Sequence, residues 1–272
     1  MKEKTFNPVL MKELKLRFRN AKSFSGVVFY LIALTLFIFA FFTIVTGFMD
    51  SGFFRPSDSF ILFCCLTSLQ MGLVLFMTPA LTAGAISTER EKQTLNILLT
   101  TTQTSAQIIM GKLLSSVSFL VLILFATMPL YSLVFLFGGI SPVQLFAVFF
   151  FFLLTVFSIG SVGILFSTIT KKTIVSMIST YGTTIFLTVF TFLFFIVGMS
   201  TMQAEAVAPF SYFWISINPF AVVLAILSPD IAMGITEVTQ ISQPSWILYT
   251  IVYVIIGVVS LVIAVRKLRS GN

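Results

Sequence analysis

Polar residues divide this chain into long apolar runs, not into the narrow helical stripes of a water-soluble protein. Six runs of about twenty residues or more occur, at 25–47, 59–86, 106–137, 143–169, 173–199 and 244–265. Each is long enough to cross a hydrocarbon layer about 30 Å thick as a helix whose backbone groups pair internally. The pattern predicts an all-α, polytopic membrane protein, a single transmembrane domain over 1–272 with six transmembrane helices. The second and third runs, at about 1.5 Å per residue, exceed the bilayer, and both should project beyond it.

The stretches between the runs predict three further elements. Over 5–23, Lys12, Lys15, Arg19 and Lys22 share one helical stripe, opposite Phe6, Val9, Leu10, Leu14 and Phe18. This is an amphipathic helix lying on the membrane surface, with Glu13 and Arg17 spaced to pair within its apolar arc. It serves as a basic anchor or also touches a partner. The run that follows it is too long for a signal-peptide core and stays on the protein. Over 88–99, Thr88 and Glu91 have capping-box spacing, and Leu95, Leu98 and Leu99 fall on one face beside Arg90, Gln93 and Thr94. That short helix lies on the membrane or is read by a partner. The segment 200–243 on the other side contains an apolar stretch, 207–228, that Pro209 and the Asn218–Pro219 step interrupt. Broken helical continuity there predicts a re-entrant or interfacial pair, with Tyr212, Phe213 and Trp214 at headgroup level, over the alternative of a seventh span, which would carry Arg266, Lys267 and Arg269 to the other side.

Composition agrees with the pattern, since 58% of residues are hydrophobic, 9% are charged and Phe alone numbers 33. Charge then sets orientation. Of the 16 basic residues all but Arg55 fall in the segments on one side of a six-span chain, which the positive-inside rule makes cytoplasmic together with both termini. Asp50, Asp58, Glu205, Asp230 and Glu237 lie on the opposite side. The basic balance therefore reads as topology and attraction to the lipid bilayer, and no nucleic-acid partner is expected.

Candidate chemistry is sparse. There is no His, and Cys64 and Cys65 adjoin within the second run as small apolar residues, so no metal, catalytic or redox site is expected. Gly111–Lys112 lacks the upstream glycine and the following Ser or Thr of a phosphate-binding loop. The interiors of the runs carry no ionisable pair suited to proton relay. Ser158, Gly160, Ser161, Gly163 and Ser167 give the fourth run a small-residue side suited to close helix packing inside one subunit.

The run ISTEREKQTLNILLTT, followed by IIMGKLL and a long apolar helix with Pro129, resembles the membrane subunits of type-2 ATP-binding-cassette transporters. NPVLMKELKLRFRNAKS is similar to their amphipathic N-terminal helix, and six spans with a large segment before the last are similar to their permease domain. The resemblance implies that 88–99 is a cytoplasmic coupling helix seated on a separate ATPase subunit, with Glu89, Arg90, Glu91, Thr94, Leu95 and Leu98 as contacts. It implies a permease subunit of an ATP-driven exporter in the cell membrane. Two permease chains, identical or sibling, would pair with two ATPase copies that bind ATP and magnesium, with no cofactor in this chain. A secondary transporter working without an ATPase, disfavoured by the uncharged spans, and a non-transporting anchor or sensor are the other readings.

Overall fold

The computed structural model describes residues 11, 13, 21–48, 56–95, 103–136, 138, 140–201 and 204–270. No strand occurs among the described residues. The chain runs through α1 (Ala21–Phe48), α2 (Pro56–Thr82), a short α3 (Ser87–Glu91), α4 (Ser105–Leu136) and α5 (Pro142–Ile169). It continues through α6 (Thr173–Ile185), a π-turn (Phe186–Phe190), α7 (Thr191–Thr201), α8 (Ala204–Ile217), α9 (Pro219–Leu227), α10 (Pro229–Thr239) and α11 (Ser245–Ser270). Among the described residues, six units are long and apolar enough to cross a membrane: α1, α2, α4, α5, the composite α6–α7 and α11.

The fourth span, α5, is the centre of the bundle and packs against α2, α4, α6, α9 and α11. Its start is specified locally. Ser141 caps the first turn through Gln144 N, the Gln144 side chain returns to Ser141 N, and Pro142 occupies the first helical position, where a missing N–H is harmless. Its small-residue side lets α2 approach closely: a Cβ placed on Gly163 would stand 2.1 Å from Thr82 Oγ1. The core runs up the bundle through Leu62, Phe63, Leu66, Val74, Leu124, Phe152, Val156 and Tyr253. Phe29, Leu36 and Phe39 on α1 point outward, as a lipid-facing surface requires.

Both ends of the bundle are identifiable from contacts. Ile86 and Leu95, at the end of α2 and beyond α3, pack with Ile108 and Ile109 of α4, Ile164 of α5 and Ala264 and Leu268 of α11. Arg90, Lys92, Lys112, Lys171, Lys172, Arg266 and Lys267 therefore collect at one end, here the basic end.

The stretch 207–228 forms a bent pair, α8 and α9, meeting at 91°. Gln144, in the first turn of α5 at the opposite end, which carries Asp58, Asp230 and Glu237 and is here the acidic end, donates to Leu227 O at 3.0 Å. The pair thus begins and ends at the acidic end of the bundle. Two expectations change. Pro209 lies inside α8 without ending it, a single lost backbone bond being tolerated, so the Asn218–Pro219 step alone makes the break. Trp214 packs against Phe194 and Phe186 of the fifth span because α8 folds back onto that span.

Candidate functional site

The charged segment after α2 is held by its neighbours from the first amide onward. Ile86 N and Ser87 N both donate to Ser167 Oγ on α5, at 2.8 and 2.9 Å. The expected capping box between Thr88 and Glu91 does not form, because α3 begins earlier and another helix supplies the acceptor. Thr88 Oγ1 instead faces Thr173 Oγ1 at 3.4 Å.

Adjacent opposite charges then straddle the turn between α5 and α6. Arg90 Nη1 donates to Thr170 O, 2.9 Å away at the C-terminus of α5. Glu91 accepts from Thr173 N at 2.8 Å and Thr173 Oγ1 at 2.9 Å, at the N-terminus of α6. A cation at a helix C-terminus and an anion at an N-terminus each oppose the local backbone dipole. The two bonds from Thr173, backbone first, hold the Glu91 carboxyl below its ordinary range.

Behind this pair lies a buried cation. Lys112 Nζ, on α4, is 3.0 Å from Glu89 Oε1 and 2.5 Å from Glu13 Oε1, and its side chain is 8% exposed. Glu89 also accepts a hydrogen bond from Thr94 Oγ1. Partial burial pushes the Glu89 carboxyl up, but the hydrogen bonds from Thr94 and Lys112 and the charges of Lys112 and Lys92 outweigh it and leave it lowered. Glu13 pairs with Lys112, whose desolvated ammonium α4 presents beside it; its other expected partner, Arg17, lies outside the described residues.

α3 ends at Glu91, and Leu99 lies outside the described residues. Gln93 N bonds to Arg90 O at 3.1 Å and Thr94 N to Glu89 O at 2.9 Å, with Gln93 at φ 59°. This is a Schellman ending with glutamine in the left-handed position. The reversal turns Leu95 inward, where it is 2% exposed among Ile86, Ile108, Ile109 and Leu113. Leu98, Lys12, Lys15 and Arg19 lie outside the described residues, as does the side chain of Lys22. Of the expected contact residues, the structure gathers Glu89, Arg90, Glu91, Thr94 and Leu95 around one turn. Only Glu91 among these five is fully exposed, joined at the tip by Lys92 and Gln93.

Sequence reasoning missed Ser167, Thr170, Thr173 and Lys112 as parts of this site. A lone lysine in the first turns of an otherwise apolar helix was a signal for Lys112. The hydroxyl residues carried none.

Among the described residues no three acidic or cysteine side chains gather as for a metal. What the arrangement can do is transmit force: α3 is bonded to α5 and α6, ion-paired to α4, and continuous with the end of α2. No curated protein sequence matches the chain. The family described as "ABC-2 family transporter protein" matches residues 71–266, a range that begins inside α2 and takes in α3 and every later span. The chain therefore belongs to the ABC-2 transporter family and is a permease component of an ABC transporter, not a catalytic domain.

Proposed function

We propose that this chain is the membrane subunit of an ATP-driven exporter and that a separate ATPase drives it through the α3 tip. The observation carrying this reading is the three-way hold on α3: Ser167 takes its first amides, Arg90 and Glu91 grip the α5–α6 turn, and Lys112 binds Glu89. A displacement of the tip is passed to α2, α4, α5 and α6 together, because rigid packed elements do not deform continuously. The exposed Glu91, Lys92 and Gln93 form the docking rim, while Leu95 supports it from within.

The basic end faces the cytoplasm of the cell membrane, where the ATPase binds ATP and magnesium. Two such chains, identical or sibling, form one pathway with two ATPase copies. The apolar bundle favours amphiphilic cargo over small ions.

The test is to purify the tagged chain from its native membranes and measure magnesium-dependent ATP hydrolysis in the co-purified complex. Lys92→Glu combined with Gln93→Glu should remove most of that activity at unchanged permease yield. Full activity in the double variant, or no ATPase with the wild-type chain, overturns the reading.

A further inference from the structure

The fifth span is two helices joined by a wider turn. α6 gives way to the π-turn at Phe186–Phe190, where Thr191 N bonds to Phe186 O, and α7 continues from Thr191. The neighbours change at the same place. On the basic side of the turn α6 packs on α5 and α2; beyond it α7 packs on α8. Contact between α7 and α8 is close: a Cβ on Gly198 would stand 2.4 Å from Ser211 Oγ, and the Phe194 and Trp214 ring centroids are 4.7 Å apart.

The two ends of this helical hairpin return to one point. One end is the π-turn and the other is the elbow at Asn218, and a single amide joins them. Asn218 Nδ2 donates to Thr188 O at 2.7 Å and to Thr191 Oγ1 at 3.0 Å. Its Oδ1 accepts from Phe220 N at 3.0 Å and Ala221 N at 3.1 Å, capping α9. Every hydrogen-bonding position of the side chain is thus used, and the residue is 3% exposed. Tyr253 Oη on α11 donates to Ile217 O at 3.3 Å and ties the elbow to the sixth span.

Packing does not fill the joint. Beside Asn218 lies an apolar groove of about 450 Å³, open to the outside of the bundle and lined by Val189, Phe192, Leu193, Phe220 and Leu224. The Asn218 hydrogen bonds, together with the contact of Trp214 on Phe186, hold the base of the hairpin shut. A π-turn is also a site where a helix changes direction at little cost, since its backbone bonds are already longer-ranged than those of an α-helix.

We propose that α7 and α8 form a flap that swings as one body about the π-turn and the elbow, and that Asn218 is the latch across its base. This deepens the function proposed above by naming the element that yields at the acidic end when α3 is displaced, and for that purpose it rests on that reading. The α9 limb, buried against α2, α5 and α11, stays with the bundle, while α8, which also packs on α11 and α10, slides over them as the flap moves. Opening breaks the Asn218 bonds to Thr188 and Thr191 and leaves the α9 cap intact.

Hydrogen–deuterium exchange of the full chain in lipid nanodiscs separates a hinge from a merely structural contact. Asn218→Ser keeps a capping oxygen but is too short to reach Thr188 and Thr191. Thr191→Val removes one latch partner of Asn218, together with its own bond to Leu187 O, and leaves the α9 cap in place. Both variants should raise exchange at 186–191 and 217–219 by on the order of tenfold, with amides inside α7, α8, α5 and α11 unchanged. Wild-type exchange at the two hinge points in both variants overturns the proposal. So does an increase spread through α7 and α8, which means that the hairpin unfolds and does not swing, or one spread through the whole bundle. The measurement needs no ATPase, so its failure leaves the docking rim at α3 standing, and failure of that rim leaves the hinge standing.

Discussion

Lys112 and Glu89 form a 3.0 Å ion pair that ties α4 to α3, and the same ammonium lies 2.5 Å from Glu13. Lys112→Gln leaves two carboxylates facing each other across a site with little water. Loss of a buried partner costs about 3–5 kcal/mol, discounted here to roughly 1–3 kcal/mol because both glutamates are partly solvated. The thermal midpoint of the detergent-purified chain should fall accordingly. Adding Glu89→Gln should recover part of the loss, and a double-mutant cycle that returns no coupling energy contradicts the pairing.

The same carboxylates set a pH dependence. Glu89 and Glu91 are both held below their ordinary range in the folded chain. A group lowered on folding contributes stability above its unfolded value and loses it as pH falls through the folded one. The hold of α3 on Thr173 and Lys112 should therefore persist at neutral pH and weaken from about pH 5 downward. The unfolding midpoint, followed from pH 7 to about pH 4, should drop more steeply in the wild type than in a Glu89→Gln, Glu91→Gln variant. Parallel curves contradict the assignment.

Spans were legible because hydrophobic length is a property of each segment alone, and the elbow was legible because proline constrains the residue before it. The end of α3 was not. Gln93 has no signature of a left-handed residue, and its conformation is imposed by the packing of Leu95 against α4 and α11. Nor could spacing reveal that Thr88 would lose its capping role to Ser167, a residue 80 positions from Ser87, whose amide it accepts. Glu13 illustrates the same limit: a neighbour at i+4 was visible in the sequence, whereas Lys112 became a neighbour only through the fold.

Gln93 offers a direct check on that ending. A side chain in the left-handed region costs about 1 kcal/mol or more relative to glycine, which adopts it freely. The glutamine side chain is exposed, so Gln93→Gly should stabilise the turn, less the entropy glycine adds to the unfolded chain. A net gain near 0.5–1 kcal/mol is expected, read as a raised unfolding midpoint. Gln93→Val should lower it, because a β-branched residue tolerates that conformation least.

Leu95 and Lys92 separate support from docking. They sit three positions apart on one turn, yet Leu95 is 2% exposed in a cluster with Ile108, Ile109, Leu113 and Leu268, whereas Lys92 points into solvent. Leu95→Ala leaves a cavity there and should cost about 2–4 kcal/mol; Leu95→Asp strands a carboxylate and should cost more, lowering yield before any partner is involved. Lys92→Glu, on the exposed rim, should change stability by about 0.5 kcal/mol or less while reversing the charge offered to the ATPase. Measured side by side, Leu95 variants should lose midpoint temperature and Lys92→Glu should lose co-purified ATP hydrolysis at wild-type stability. The opposite pattern, a stable Leu95→Asp chain that fails to bind ATPase, would mean that Leu95 faces the partner and that the inward turn at Gln93 is not the working conformation.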